Sequence, residues 1–221
     1  EHQIMKYSVL IIFLLFCLLN AQAVDFTSSN LPIVIIDTHG KSIPDEPKIT
    51  ADMKIIDNDG RNYITDTDYN YTGKIGIERR GSSSQWFFPK KQYAVETRDA
   101  DGENRNVSLM GFPEENDWIL HAPYSDKTLM RNVIIYTLAR EMGWYASRCK
   151  FCELVKNDIY MGVYILMEKI KRDDNRVDIS KLNPDESSGD DLTGGYVVKI
   201  DKFNGAHTDG WHSDYLSRPG S

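Results

Sequence analysis

Lys74-Ile75-Gly76-Ile77-Glu78-Arg79-Arg80-Gly81-Ser82-Ser83-Ser84-Gln85-Trp86-Phe87-Phe88-Pro89-Lys90-Lys91-Gln92-Tyr93-Ala94-Val95-Glu96-Thr97 reads as two strands with a loop between them. The first eight residues alternate as a strand does, and residues 92–97 supply its partner. The connection is a glycine followed by three serines. Backbone amides and hydroxyls of such a loop can surround anionic oxygens, and Lys90 and Lys91 then open the return strand, an arrangement that suits a polyphosphate. An ordinary β-hairpin with charged ends has the same spacing, so these residues alone leave both readings open.

Working outward, the apolar run Leu31-Pro32-Ile33-Val34-Ile35-Ile36-Asp37 predicts a buried strand. Residues 48–56 predict a second, before the Asp57-Asn58-Asp59-Gly60 turn. Residues 24–30 read as a polar lead-in and the stretch to Asn70 as loop. Asp117-Trp118-Ile119-Leu120-His121 is a further short strand. A helix is expected next, with Ser125 as N-cap, Asp126 in the first turn, Leu129, Val133, Tyr136, Leu138 and Met142 on an apolar face, and Gly143 as its stop. Residues 150–155 and 161–167 predict two strands joined at Asn157-Asp158. A charged connector spans 169–190, and residues 195–200 predict one more strand.

Lys6, the apolar run from Val9 to Leu19 and the small-residue exit Ala21-Gln22-Ala23 have the pattern of a secretory signal peptide over residues 1–23. Its apolar core is shorter than the ~20 residues that cross a bilayer, so no stable membrane anchor is expected after cleavage. Residues 1–4 are expected to lie upstream of the initiator Met5. The formal net charge of −7 argues against a nucleic-acid partner, and 41% hydrophobic content is enough for a packed core. Of the three cysteines, Cys149 and Cys152 lie beyond the signal segment. Their spacing resembles redox or zinc pairs, but three apart on a strand they face opposite ways.

Several chemistries find no support. Asp66-Thr67-Asp68-Tyr69-Asn70 spaces oxygen ligands as a calcium loop does, but Tyr71 and Ile77 stand where glycine and glutamate are required, which leaves a solvated loop. His207 to Asp214 could supply metal ligands, as many loop clusters could. No Gly-x-Ser-x-Gly or His-Glu-x-x-His motif occurs, and no carboxylate pair stands out as glycosidase acid and base. Trp86, Trp144 and Trp211 raise a carbohydrate-binding reading, though Trp86 and Trp144 are expected to pack inside.

The opening segment, with Asp117-Trp118-Ile119-Leu120-His121-Ala122-Pro123-Tyr124-Ser125-Asp126-Lys127-Thr128-Leu129-Met130-Arg131-Asn132 and Gly162-Val163-Tyr164-Ile165-Leu166-Met167-Glu168-Lys169-Ile170, resembles the spore-coat protein H (CotH) kinase family over residues 31–202. The resemblance implies an atypical α+β protein kinase that moves the γ-phosphoryl of ATP to Ser or Thr of a protein substrate, with Mg²⁺ or Mn²⁺. It implies a kinase-like small lobe, a mostly antiparallel sheet with one long helix, over residues 31–204. Residues 205–221 would be a loop at a truncated end, with the C-terminal lobe largely missing. Arg80, Ser82, Ser83, Ser84, Lys90 and Lys91 would surround phosphates, Met167, Glu168 and Lys169 would form the hinge at the adenine, and Asp126 and Arg131 would position polar contacts. The family's metal-holding Trp-Asp-Phe-Asp-like segment has no match here; Asp201, Asp209 and Asp214 come too early, so this chain by itself is expected to bind nucleotide poorly or not at all and to be inactive. The implied location is secreted, periplasmic or cell-surface. A non-catalytic surface or coat protein of the same fold is the alternative.

Overall fold

The computed structural model describes residues 25–197 of the 221-residue chain. The expected signal segment, the 207–214 cluster, Asp201 and the terminal loop lie outside the described residues. Contacts divide the chain at Val177 into two compact units.

In the first unit, β1 (Ser28–Ser29), in the lead-in, pairs with β4 (Asn62–Tyr63), in the stretch expected to be loop. The remaining strands are β2 (Ile33–Asp37), β3 (Ile49–Ile56), β5 (Tyr71–Arg80), β6 (Gln92–Arg98), β7 (Asp117–His121), β8 (Cys149–Lys156) and β9 (Ile159–Glu168). They form a closed barrel in the order β2-β3-β5-β6-β7-β9-β8. Every pairing is antiparallel except the closing one, where β2 and β8 run parallel, Ile33 opposite Glu153 and Ile36 opposite Lys156.

Alternation explains the inside. Val34 and Ile36 of β2, Ala51, Met53 and Ile55 of β3, Ile75 and Ile77 of β5, Tyr93 and Val95 of β6, Cys152 and Leu154 of β8, and Tyr164 and Leu166 of β9 fill one core. Period-two patterning sends these to the interior and their neighbours out. In β7, Trp118 and Leu120 point in while Ile119 joins Ile165 and Met167 in an outer cluster against Val133 and Tyr136. Both faces of β7 are therefore covered, so its centre is a continuous apolar run.

The expected kinase-like small lobe with one long helix is thus corrected to a closed mixed barrel. Edge pairing is what the sequence hides: a parallel contact between strands more than 110 residues apart leaves no local mark. The helices are α1 (Ser83–Phe87), α2 (Arg131–Glu141) and α3 (Asp190–Thr193), so the longest among the described residues has 11 residues. Ser125 is not the cap of α2. Asp126 holds the turn before it, its carboxylate accepting from the Thr128 amide and hydroxyl and from the Arg131 amide. Leu129, with φ +59, then separates that turn from the helix, whose N-cap is Met130. Gly143, with φ +82, follows the helix end as expected. None of those three helices is long and apolar enough to cross a membrane.

The Asn157-Asp158 turn has both residues at positive φ, and Asn157 exchanges hydrogen bonds with Thr38 at the end of β2. Gly162, four residues past Asp158, has φ +85, and β8 shifts register opposite it. A side chain there is strained. Gly162→Ala is expected to cost about 1–2 kcal/mol, the penalty for an L-residue in left-handed backbone, and a urea midpoint would register it.

The second unit is described over residues 178–197. Glu186 accepts from the Asn183 amide and side chain, and α3 follows. Residues 195–197, the start of an expected strand, carry none, and residues 198–200 lie outside the described residues.

Candidate functional site

β5 and β6 pair with Arg79 opposite Tyr93 and Arg80 opposite Gln92, so the glycine-serine connection stands at one end of the barrel. Gly81 has φ +99, and a Cβ there would run into Ser84 Oγ, so glycine is required for the turn. The connection is not an open loop. Ser83 and Ser84 begin α1, the Gln85 and Phe88 amides are spent on the Ser82 and Ser84 carbonyls, and Gln85 Nε2 donates to Asp45 and to the Gly81 carbonyl. Trp86 is 89% exposed and Trp144 70% exposed, which corrects the expectation that both pack inside. The barrel already fills its interior with strand residues, and these two project from α1 and from the turn after α2.

Lys91 Nζ donates to the Gln85 carbonyl at 2.6 Å and the Phe88 carbonyl at 2.7 Å, holding the end of α1. Lys90 turns inward. Its Nζ donates to the Val163 carbonyl at 2.5 Å and lies 4.5 Å from the Tyr164 ring centroid. Burial lowers its pKa against the raising charges of Glu153 and Cys152. Arg80 is exposed on the outer rim beside His121. His121 Nδ1 lies 2.7 Å from Gln92 Oε1 and Nε2 lies 3.1 Å from Asn132 Nδ2, which a neutral ring protonated on Nδ1 satisfies. Burial, then the Arg80 charge, lowers the His121 pKa. Arg80, Lys90 and Lys91 share this end of the barrel, and none enters an ion pair with a carboxylate among the described residues.

Met167, Glu168 and Lys169 lie at the other end. From Tyr164 to Glu168 is about 13 Å of strand at ~3.3 Å per residue, so the expected phosphate and hinge residues belong to opposite barrel ends. Met167 is buried beneath α2. Glu168 is buried, and its carboxylate accepts from the Arg148 guanidinium at 2.7 Å and the Arg148 amide at 2.9 Å. Lys169 reaches Asp117 at 3.3 Å. Asp126 is committed to the start of α2, with the Arg131 amide and the Thr128 hydroxyl holding its carboxyl below the ordinary range. The Arg131 side chain is exposed, 3.6 Å from Asp126.

Around Asp117 stands a network whose cations, Lys171 and Arg176, lie in the expected connector. Lys171 bonds Glu115 at 2.7 Å and Asp117 at 3.1 Å, and buried Arg176 donates to the Asp117 and Lys169 carbonyls over the Trp118 ring. Burial alone would raise the Asp117 pKa, but the Lys171 hydrogen bond and the Lys169 and Lys171 charges outweigh it and lower it. A depressed folded pKa contributes stability that is present above the unfolded value of ~3.9 and lost as pH falls through the folded one. Wild-type urea midpoints are therefore expected to drop on acidification below about pH 4, and Asp117→Asn to flatten that drop.

The cysteines face apart as expected, Cys152 into the core and Cys149 under α2. Burial pushes the Cys152 thiol up to about 12, far from a thiolate. In the rejected calcium loop, Asp66 accepts from the Tyr63 amide and Asn58 Nδ2, and Asn70 from the Asp57 amide, as turn-holding residues do.

Matched against known protein families, residues 77–220 fit the family described as CotH kinase protein. No curated protein matches the chain.

Proposed function

The chain belongs to the CotH kinase protein family, and from that premise we propose that it carries the phosphate-binding end of an exported protein kinase. In this reading ATP is the donor, a Ser or Thr hydroxyl of an exported or surface protein is the acceptor, and the location is secreted, periplasmic or cell-surface. The observation that carries it is that Arg80, Lys90 and Lys91 stand at one barrel end without a carboxylate partner among the described residues, in a chain whose net charge is −7. Cations left unpaired in an acidic protein favour an anionic ligand. Phosphoryl transfer asks little covalent chemistry of a protein; it needs positioning and neutralised phosphate charge. The acceptor oxygen bonds the γ-phosphorus as the bond to the β,γ-bridging oxygen breaks, ADP leaves, and the hydroxyl proton passes to solvent or a base. Mg²⁺ or Mn²⁺ would add charge neutralisation, but among the described residues no three His, Cys, Asp or Glu side chains stand together to hold a metal. The charge these residues supply is that of lysine and arginine.

The test is phosphotransfer. The complete open reading frame, given γ-labelled ATP, Mn²⁺ and a Ser-rich acceptor, should label the acceptor, and a Lys90/Lys91 double alanine should not. Equal labelling by both forms would remove this end of the barrel from the reaction. A non-catalytic assembly role is the second reading, favoured by the outward Trp86, Phe87, Met142 and Trp144. It predicts self-association or surface binding that is indifferent to nucleotide.

A further inference from the structure

Strand parity places two more cations at the same barrel end. Arg79 follows Ile75 and Ile77 on the inner face of β5, and Lys156 follows Cys152 and Leu154 on that of β8. Their floor is the pair Tyr93 and Tyr164, both buried, stacked with centroids 6.3 Å apart. Lys156 Nζ lies 5.8 Å from the Tyr93 centroid and Lys90 Nζ 4.5 Å from the Tyr164 centroid, so a lysine stands over each ring. Arg79, across the ladder from Tyr93, has its Nε buried with no hydrogen-bond partner among the described residues. Neither Arg79 nor Lys156 enters an ion pair there. The acid whose charge reaches Lys90 is Glu153, and its oxygens are already committed to Ser29 Oγ and the Tyr160 hydroxyl.

We infer that Lys156 and Arg79 join Lys90 in one anion site inside the barrel mouth, over the Tyr93–Tyr164 floor, and that its ligand is an oligophosphate. Three half-buried cations brought in by β5, the β6 approach and β8 are too many for a single carboxylate and suit a chain of charged oxygens. The aromatic floor lies against two ammonium groups without neutralising their charge. The inference rests on the phosphate-binding reading above and extends it across the barrel to a strand from which that reading takes no residue.

The experiment is calorimetric titration of the product of the complete open reading frame and its Lys156→Met variant with inorganic tripolyphosphate and, separately, with ATP. Lys54→Met is the control, because Lys54 lies outside the barrel against Tyr69. Lys156→Met should weaken tripolyphosphate at least tenfold, Lys54→Met should not, and Lys156→Arg should recover most of the loss. If ATP binds and Lys156→Met binds it equally well, the inference falls and the nucleotide reading survives. If tripolyphosphate binds through Lys156 but ATP does not bind, the anion site stands and the nucleotide reading falls. Wild-type protein that binds neither overturns both.

Discussion

Trp118→Ala is expected to cost about 3–5 kcal/mol of folding stability, the range for truncating a buried Trp or Phe. Trp118 is fully buried on β7, the strand with core on one side and α2 on the other. Its ring packs against Phe112 with centroids 6.0 Å apart, its Nε1 donates to the Glu115 carbonyl at 3.1 Å, and the Arg176 guanidinium lies 5.0 Å above it. Truncation opens a cavity and removes the platform beneath the Glu115–Arg176 pair. Leaving Arg176 buried with fewer neighbours adds to the cost. Trp118→Phe should lose markedly less. Urea unfolding followed by circular dichroism measures both; a loss under about 1 kcal/mol for the alanine variant would mean that the barrel is not closed around this side chain.

The Lys90/Lys91 double alanine should weaken ATP binding by at least about tenfold. A hydrogen bond to a charged group contributes about 1.5–3 kcal/mol and every 1.4 kcal/mol is tenfold, so losing the Lys90 contact alone gives that factor. The two lysines do different things. Lys90 presents its ammonium inside the mouth, while Lys91 holds two carbonyls at the end of α1 and so sets where the connection stands. Lys90→Ala alone should account for most of the direct loss. Lys91→Ala should act through α1 and show a small drop in thermal midpoint, whereas calorimetry of Lys90→Ala should show lost affinity with little change in that midpoint.

Much of the barrel was legible. The alternation of β3 and β6 and the pairing of β5 with β6 follow from period-two patterning, and the Asn157-Asp158 turn lies where its residues predict it. Closure was not legible, because the parallel contact of β2 with β8 joins distant segments whose apolar runs would serve equally in an open sheet. The start of α2 is not legible, because Ser125 and Asp126 look like a cap. Asp126 does act on the helix amides, but across a turn ended by Leu129 in left-handed backbone, which no propensity marks.

At the site, the charges were visible and their directions were not. Arg79 and Arg80 are adjacent in sequence, yet one faces the barrel interior and the other its outer rim. Counting by twos from Ile75 and Ile77 would have separated them, and the same count from Cys152 and Leu154 would have drawn in Lys156. The His121 contact with Asn132 lay within a recognised motif, but only the packing of α2 beside β7 brings the two side chains together. In the Glu115–Lys171–Arg176 network, Lys171 and Arg176 belong to a stretch that reads only as a charged connector; the chain's return over Trp118 buries Arg176 against Glu115.

The most direct test of the phosphate-binding barrel end is lysine footprinting of the product of the complete open reading frame, acetylated with and without ATP and read by mass spectrometry. The account predicts slowed acetylation at Lys90, Lys91 and Lys156, with Lys48 and Lys74, ion-paired on the outside of the barrel, unchanged. Nucleotide-dependent protection confined to lysines away from this end, or no protection at a saturating concentration, would contradict it.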